Sequence, residues 1–113
     1  MQVIFESRDV DGAQMRELSV ERVRFALRRL RAWVPRAKVQ FSDVNGPRGG
    51  VDKRCQVELS TEAAGTVVIA SLASDWRTAL DRALGRATRV LTRSLQRKQK
   101  PTRDRAAKLA LDS

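Results

Sequence analysis

An arginine or lysine recurs every three or four positions in "LDRALGRATRVLTRSLQRKQK", residues 80–100, against a single acid, Asp81. On a helical wheel of about 100° per residue, Arg82, Arg86, Arg89, Arg93, Arg97 and Lys100 share a band of about 80°; Lys98 belongs to the same run. Beside them Trp76, Ala79, Leu80, Ala83, Leu84, Ala87, Val90, Leu91 and Leu95 make an apolar stripe of about 160°. Like charges at i, i+4 repel, as in Arg82–Arg86, Arg89–Arg93 and Arg93–Arg97, so stability alone does not select this ribbon. The macrodipole favours cations only in the last turn and does not account for Arg82 or Arg86. A solvated, solubilising face is the plain alternative. The chemistry that a row of guanidinium forks suits is bidentate pairing with phosphate.

Other chemistries lack their residues. There is no histidine, which removes the commonest general base and metal ligand. The one cysteine, Cys55, alternates into the inward register of a strand and reads as a small core residue. Carboxylates are scattered, with no pair at a spacing that would flank a substrate. "NGPRGG" lacks the strand–glycine–helix context of a phosphate loop; it is either a flexible hairpin connection or a loop that orders on RNA. Neither an enzyme, a metal, a cofactor nor a small-molecule substrate is expected. The ribbon has no interleaved aromatics and the chain has no tyrosine, so stacking on single-stranded bases is weakly supported. Backbone and shape recognition of structured nucleic acid fits better.

Bulk properties agree. With 23 Lys+Arg against 13 Asp+Glu, the 113-residue chain carries a formal charge of +10 and calls for an anionic partner, nucleic acid or a membrane surface. A content of 42% apolar residues suits one modest core and one domain. A lone cysteine and an N-terminus unlike a signal peptide suggest a reducing, cytoplasmic setting, and no stretch is apolar enough to span a bilayer.

The elements that must hold the ribbon follow from periodicity. "QVIFES", "AKVQFSDV", "CQVELS" and "TVVIASL" read as strands, with Val3, Phe5, Val39, Phe41, Cys55, Val57, Leu59, Val67 and Ile69 on the covered side. A helix is predicted over 13–34, its apolar sector holding Met15, Leu18, Val23, Ala26, Leu27, Leu30, Trp33 and Val34, with Pro35 as its stop. Ser74 or Asp75 caps a second helix over 76–99, which Pro101 should break. The order β-α-β-β-β-α predicts an α+β fold: a four-stranded mixed sheet, its first two strands parallel, with both helices on one face. Residues 1–100 are expected to form this domain and 101–113 a short polar tail. Arg22, Arg24, Arg28, Arg29 and Arg31, with Arg36 and Lys38 just beyond, would extend the basic field if the helices lie side by side.

This pattern resembles the ribosome hibernation promoting factor and ribosome-associated inhibitor family, in its short form. The opening "MQVIFESRDV", the helix start "MRELSVERV" and above all "GTVVIASLASDWRTALDRALGRATRVLTRSLQRKQK" carry the likeness. Asp75, Ala79, Leu80 and Asp81 stand on the family's motif, and Arg86, Arg89 and Arg93 fall where it carries basic residues. Arg77 replaces a usual aromatic, and Phe25 is inserted among the charges of the first helix. The resemblance implies a partner, the small ribosomal subunit and its ribosomal RNA. It also implies occlusion of the messenger and transfer RNA decoding sites in stressed or stationary-phase cells. The chain ends before the C-terminal ribosome-dimerising domain of long members, which is therefore not expected. A free double-stranded RNA- or DNA-binding protein, and an interaction module for an acidic protein or anionic lipid, are the alternatives.

Overall fold

Alternating apolar and polar residues give each strand one face that excludes water, and these faces close into a single core. The computed structural model describes residues 1–44 and 51–112, with side-chain surroundings as far as Arg97. The strands are β1 (Gln2–Ser7), β2 (Arg36–Asp43), β3 (Lys53–Ser60) and β4 (Thr66–Ala73). They lie in the order β1-β2-β3-β4, with β1 parallel to β2 and the remaining pairs antiparallel. Phe5, Ala37, Val39, Phe41, Cys55, Val57, Leu59 and Val67 are buried on one side, with Val3 and Ile69 partly buried beside them. This is the α+β arrangement that the alternation predicts. The "NGPRGG" segment lies outside the described residues.

Three helices cover that side. They are α1 (Val10–Ala13), α2 (Arg16–Ala26) and α3 (Trp76–Asp112). Asp9 starts α1, its Oδ1 accepting from the main-chain N–H groups of Asp11 at 2.9 Å and Gly12 at 3.2 Å. Gly12 sits where a side chain would crowd its neighbours. A Cβ there would stand 2.5 Å from Ser7 Oγ and 3.3 Å from the Trp76 ring. α2 packs on β1 and against α3, and α3 packs on β3 and β4. Trp76 at the head of α3 stacks on Phe41 at 4.8 Å, and Phe5 meets Phe41 edge-on at 5.2 Å. The base of the β2–β3 connection is clamped by charge: Lys53 Nζ lies 2.7 Å from Asp43 Oδ2 and 3.4 Å from the buried Asp52.

Two helix boundaries differ from expectation. The helix predicted over 13–34 is split at Gln14–Met15 and ends at Ala26. Beyond it the hydrogen bonds shorten to i→i−3, with Leu30 N donating to Leu27 O and Trp33 N to Leu30 O, both at 2.8 Å. Tight turns drop Leu27 and Val34 into the core while returning the chain to the start of β2. Trp33, assigned to the apolar sector by continuing the helical period, is instead 41% exposed. Likewise α3 does not break at Pro101 but continues to Asp112. Proline removes one N–H and costs about 3 kcal/mol in a helix interior. The following "RDRAAKLALD" is rich in the strongest helix formers and favours continuation.

Candidate nucleic-acid interface

The ribbon stands on α3 because the apolar stripe fixes the helix's rotation. Ala79, Leu80, Ala83, Leu84, Ala87, Leu91 and Leu95 are buried against the sheet, and Arg82, Arg86, Arg89, Arg93 and Arg97 are all exposed. Asp75 sets the start: its carboxylate accepts from Thr78 N–H at 2.8 Å and Thr78 Oγ1 at 2.9 Å. The bond from the Thr78 main chain, then that from its hydroxyl, hold the Asp75 pKa below the ordinary carboxylate value.

With Trp76 at zero on the wheel, Asp81, Thr88 and Thr92 fall at about 120–160°, and Arg82, Arg86, Arg93 and Arg97 at about 240–300°. Arg89 and Gln96 lie between them. α2 occupies the first flank, where Arg22 Nε sits 3.8 Å from Asp81 Oδ1. The edge of β4 occupies the second. There Arg82 Nη1 donates to Leu72 O at 3.3 Å and Arg86 Nη1 to Ala70 O at 3.4 Å. β4 is an edge strand with no charged residue between Thr66 and Ala73, so these two arginines also cover main-chain acceptors that would otherwise invite another strand. Both contacts are long and lie at the surface, and the guanidinium groups keep donors to spare.

On the other flank the two helical segments enclose an open groove. Ala26, Arg28, Arg29 and Leu30, at and after the end of α2, face Thr88 and Thr92 of α3 across a space of about 400 Å³. It adjoins a second depression of about 290 Å³ lined by Thr88, Arg89, Thr92, Arg93 and Gln96. Four arginines and two hydroxyls thus meet on one continuous surface. Guanidinium forks and hydroxyl donors are the groups that hold phosphate oxygens.

Not every basic residue singled out in the sequence joins this surface. Arg22 reaches α3 but is paired with Asp81. Arg24, although exposed, lies about 200° around the α2 axis from Arg22, on the flank turned from α3. Arg31 is exposed on the turn after α2, outside the residues lining the groove. Arg36 and Lys38 alternate onto the sheet face opposite the helices, where Lys38 Nζ lies 3.7 Å from Glu6 Oε2. The side chains of Lys98 and Lys100 lie outside the described residues. Thr88, Thr92 and Gln96 were not among the sequence candidates. Their signal was the same i, i+4 spacing as the arginines beside them.

Cys55 is fully buried, and burial pushes its thiol pKa up to about 12, with Arg54 opposing weakly. That is the state of an inert core thiol. Among the described residues no cluster of three or more potential metal-ligating side chains occurs, and no helix is long and apolar enough to cross a membrane.

No family model and no curated protein sequence matches the chain. Solved structures do share its fold. A ribosomal subunit interface protein from Coxiella burnetii superposes with a TM-score of 0.64 at 16% identity, covering 82% of this chain and 96% of that one. The N-terminal domain of Thermus thermophilus Protein Y gives a TM-score of 0.60 at 22% identity, covering 82% of this chain and 98% of that domain.

Proposed function

We propose that this protein is a non-enzymatic, ribosome-associated translation inhibitor that docks on the small ribosomal subunit through the exposed face of α3 and the groove beside it. The observation that carries this is the groove itself: Arg28 and Arg29 converge with Arg89 and Arg93 on one surface that also presents Thr88 and Thr92. The charge of +10 and the shared fold with a protein described as a ribosomal subunit interface protein support the same partner. Inhibition follows from occlusion. The arginines neutralise ribosomal RNA phosphates, and the folded body fills space that messenger and transfer RNA need at the decoding sites. The protein would act in the cytoplasm of stressed or stationary-phase cells.

Sedimentation of stationary-phase extract through a sucrose gradient tests the association, with the protein expected in the ribosomal fractions. Competition separates this function from that of a free duplex binder. Intact small subunits should displace the protein from bare double-stranded RNA at far lower concentration than the reverse. Equal competition by duplex would favour a nucleic-acid-binding protein not tied to the ribosome.

A further inference from the structure

Three aromatic rings, those of Phe5, Phe41 and Trp76, are buried in the core. Phe25 is 65% exposed, at the last turn of α2. It is fixed in place. The Arg28 guanidinium lies 4.1 Å from its ring centroid, and Arg28 Nη1 donates to Phe25 O at 2.8 Å. The same Arg28 lines the groove opposite Thr88 and Thr92. A lone exposed phenylalanine is ordinary on a protein surface, and its surroundings decide what it can do. Here it stands beside a phosphate-binding surface, with a cation on one ring face and most of the ring still open.

We infer that Phe25 is a base-stacking ledge: its open face receives one unpaired nucleobase of the bound RNA while Arg28 and Arg29 hold the adjoining phosphates. The inference rests on the RNA-binding role of the groove and adds to it a single-stranded element that phosphate contacts alone do not require. Arg28 contributes twice. It restricts the ring before RNA arrives, so less ordering remains to be done on binding, and it supplies positive charge where the nucleotide's phosphate must lie. Trp33 is the other exposed ring, but the cleft beside it is lined by Ala32, Pro35, Glu62 and Ala63, with a carboxylate that repels phosphate and no arginine.

Fluorescence anisotropy with two labelled oligomers of equal length and charge tests this: eight adenosine nucleotides, and the same sugar–phosphate chain without bases. The parent protein should bind the base-bearing oligomer roughly 5- to 150-fold more tightly, the range for one stacked base. Phe25→Leu keeps an apolar side chain but has no ring. It should abolish the difference while leaving affinity for the abasic chain and the thermal midpoint unchanged. Equal binding of both oligomers by the parent, or a preference that survives in Phe25→Leu, overturns the ledge and leaves the phosphate role standing. Failure of the parent to bind either oligomer at low salt also overturns the ledge, while docking on the ribosome is decided separately by co-sedimentation.

Discussion

Replacing Arg89 and Arg93 by glutamine removes two guanidinium groups that line the depression adjoining the groove while leaving the packing of α3 intact. Both side chains are exposed, whereas Ala87 and Leu91 between them carry the contact with the sheet. Loss of an i, i+4 like-charge pair also relieves repulsion within the helix, so the variant should fold. If each arginine neutralises one phosphate, the slope of log affinity against log salt should become shallower by about 0.7–0.9 per residue, or about 1.4–1.8 for the pair. Over a fourfold rise in salt that difference amounts to a factor of about ten. The parent should thus lose about ten times more affinity than the variant between 50 and 200 mM salt, the range over which such slopes are read. Titration of fluorescent ribosomal RNA fragments, or of small subunits, at four salt concentrations measures it. Parallel lines for the two proteins would refute the assignment of these residues to phosphate.

Other expectations follow from the packing and the titrating groups. Leu91 is fully buried between α3 and the sheet, and Leu91→Ala should lower stability by about 2–5 kcal/mol in urea unfolding. Asp75 has a lowered pKa in the folded state, so its stabilisation is complete above the ordinary carboxylate range and is lost as pH falls through the lowered value. Asp75→Asn keeps a cap acceptor but should flatten the acid limb of the stability–pH curve, measured by thermal melts from pH 2 to neutrality, roughly the window around a carboxylate's titration. Cys55 should resist thiol reagents in the native protein and react only on unfolding, because its burial disfavours the thiolate. Fast labelling without denaturant would show that the strand opens readily.

The strands were legible because period two survives in every one: Val39 and Phe41, and Cys55, Val57 and Leu59, occupy the buried side as alternation requires. The start of α3 at Trp76 was legible for an equally local reason, a capping residue, Ser74 or Asp75, just ahead of an apolar-periodic run, and it is Asp75 that bonds Thr78. What misled was periodicity continued past its cause. Leu27, Leu30 and Val34 fit a helical wheel, but their burial is achieved by tight turns, a tertiary requirement of the crossover into β2 that local pattern does not register. Pro101 misled in the opposite sense, since a single unfavourable residue was outweighed by its helix-forming neighbours. For the site, the wheel identified the ribbon. It did not reveal that Arg82 and Arg86 reach the β4 edge while Arg89 and Arg93 line a depression with Thr88, Thr92 and Gln96, because that depends on which flank each neighbour occupies. Phe25 was visible as an aromatic outside the apolar sector, and only the structure joins it to Arg28 and the groove.

Co-sedimentation of a charge-reversed variant with the small ribosomal subunit is the most direct measurement. Arg86, Arg89 and Arg93 are exchanged together for glutamate, with Arg24→Glu, on the flank of α2 turned from the groove, as the control. The triple variant should retain the parent's circular dichroism spectrum and remain at the top of the gradient, while the parent and Arg24→Glu travel with the subunit. A folded triple variant that still co-sediments at moderate salt would show that the ribbon is a solvated face and that the protein does not act through it.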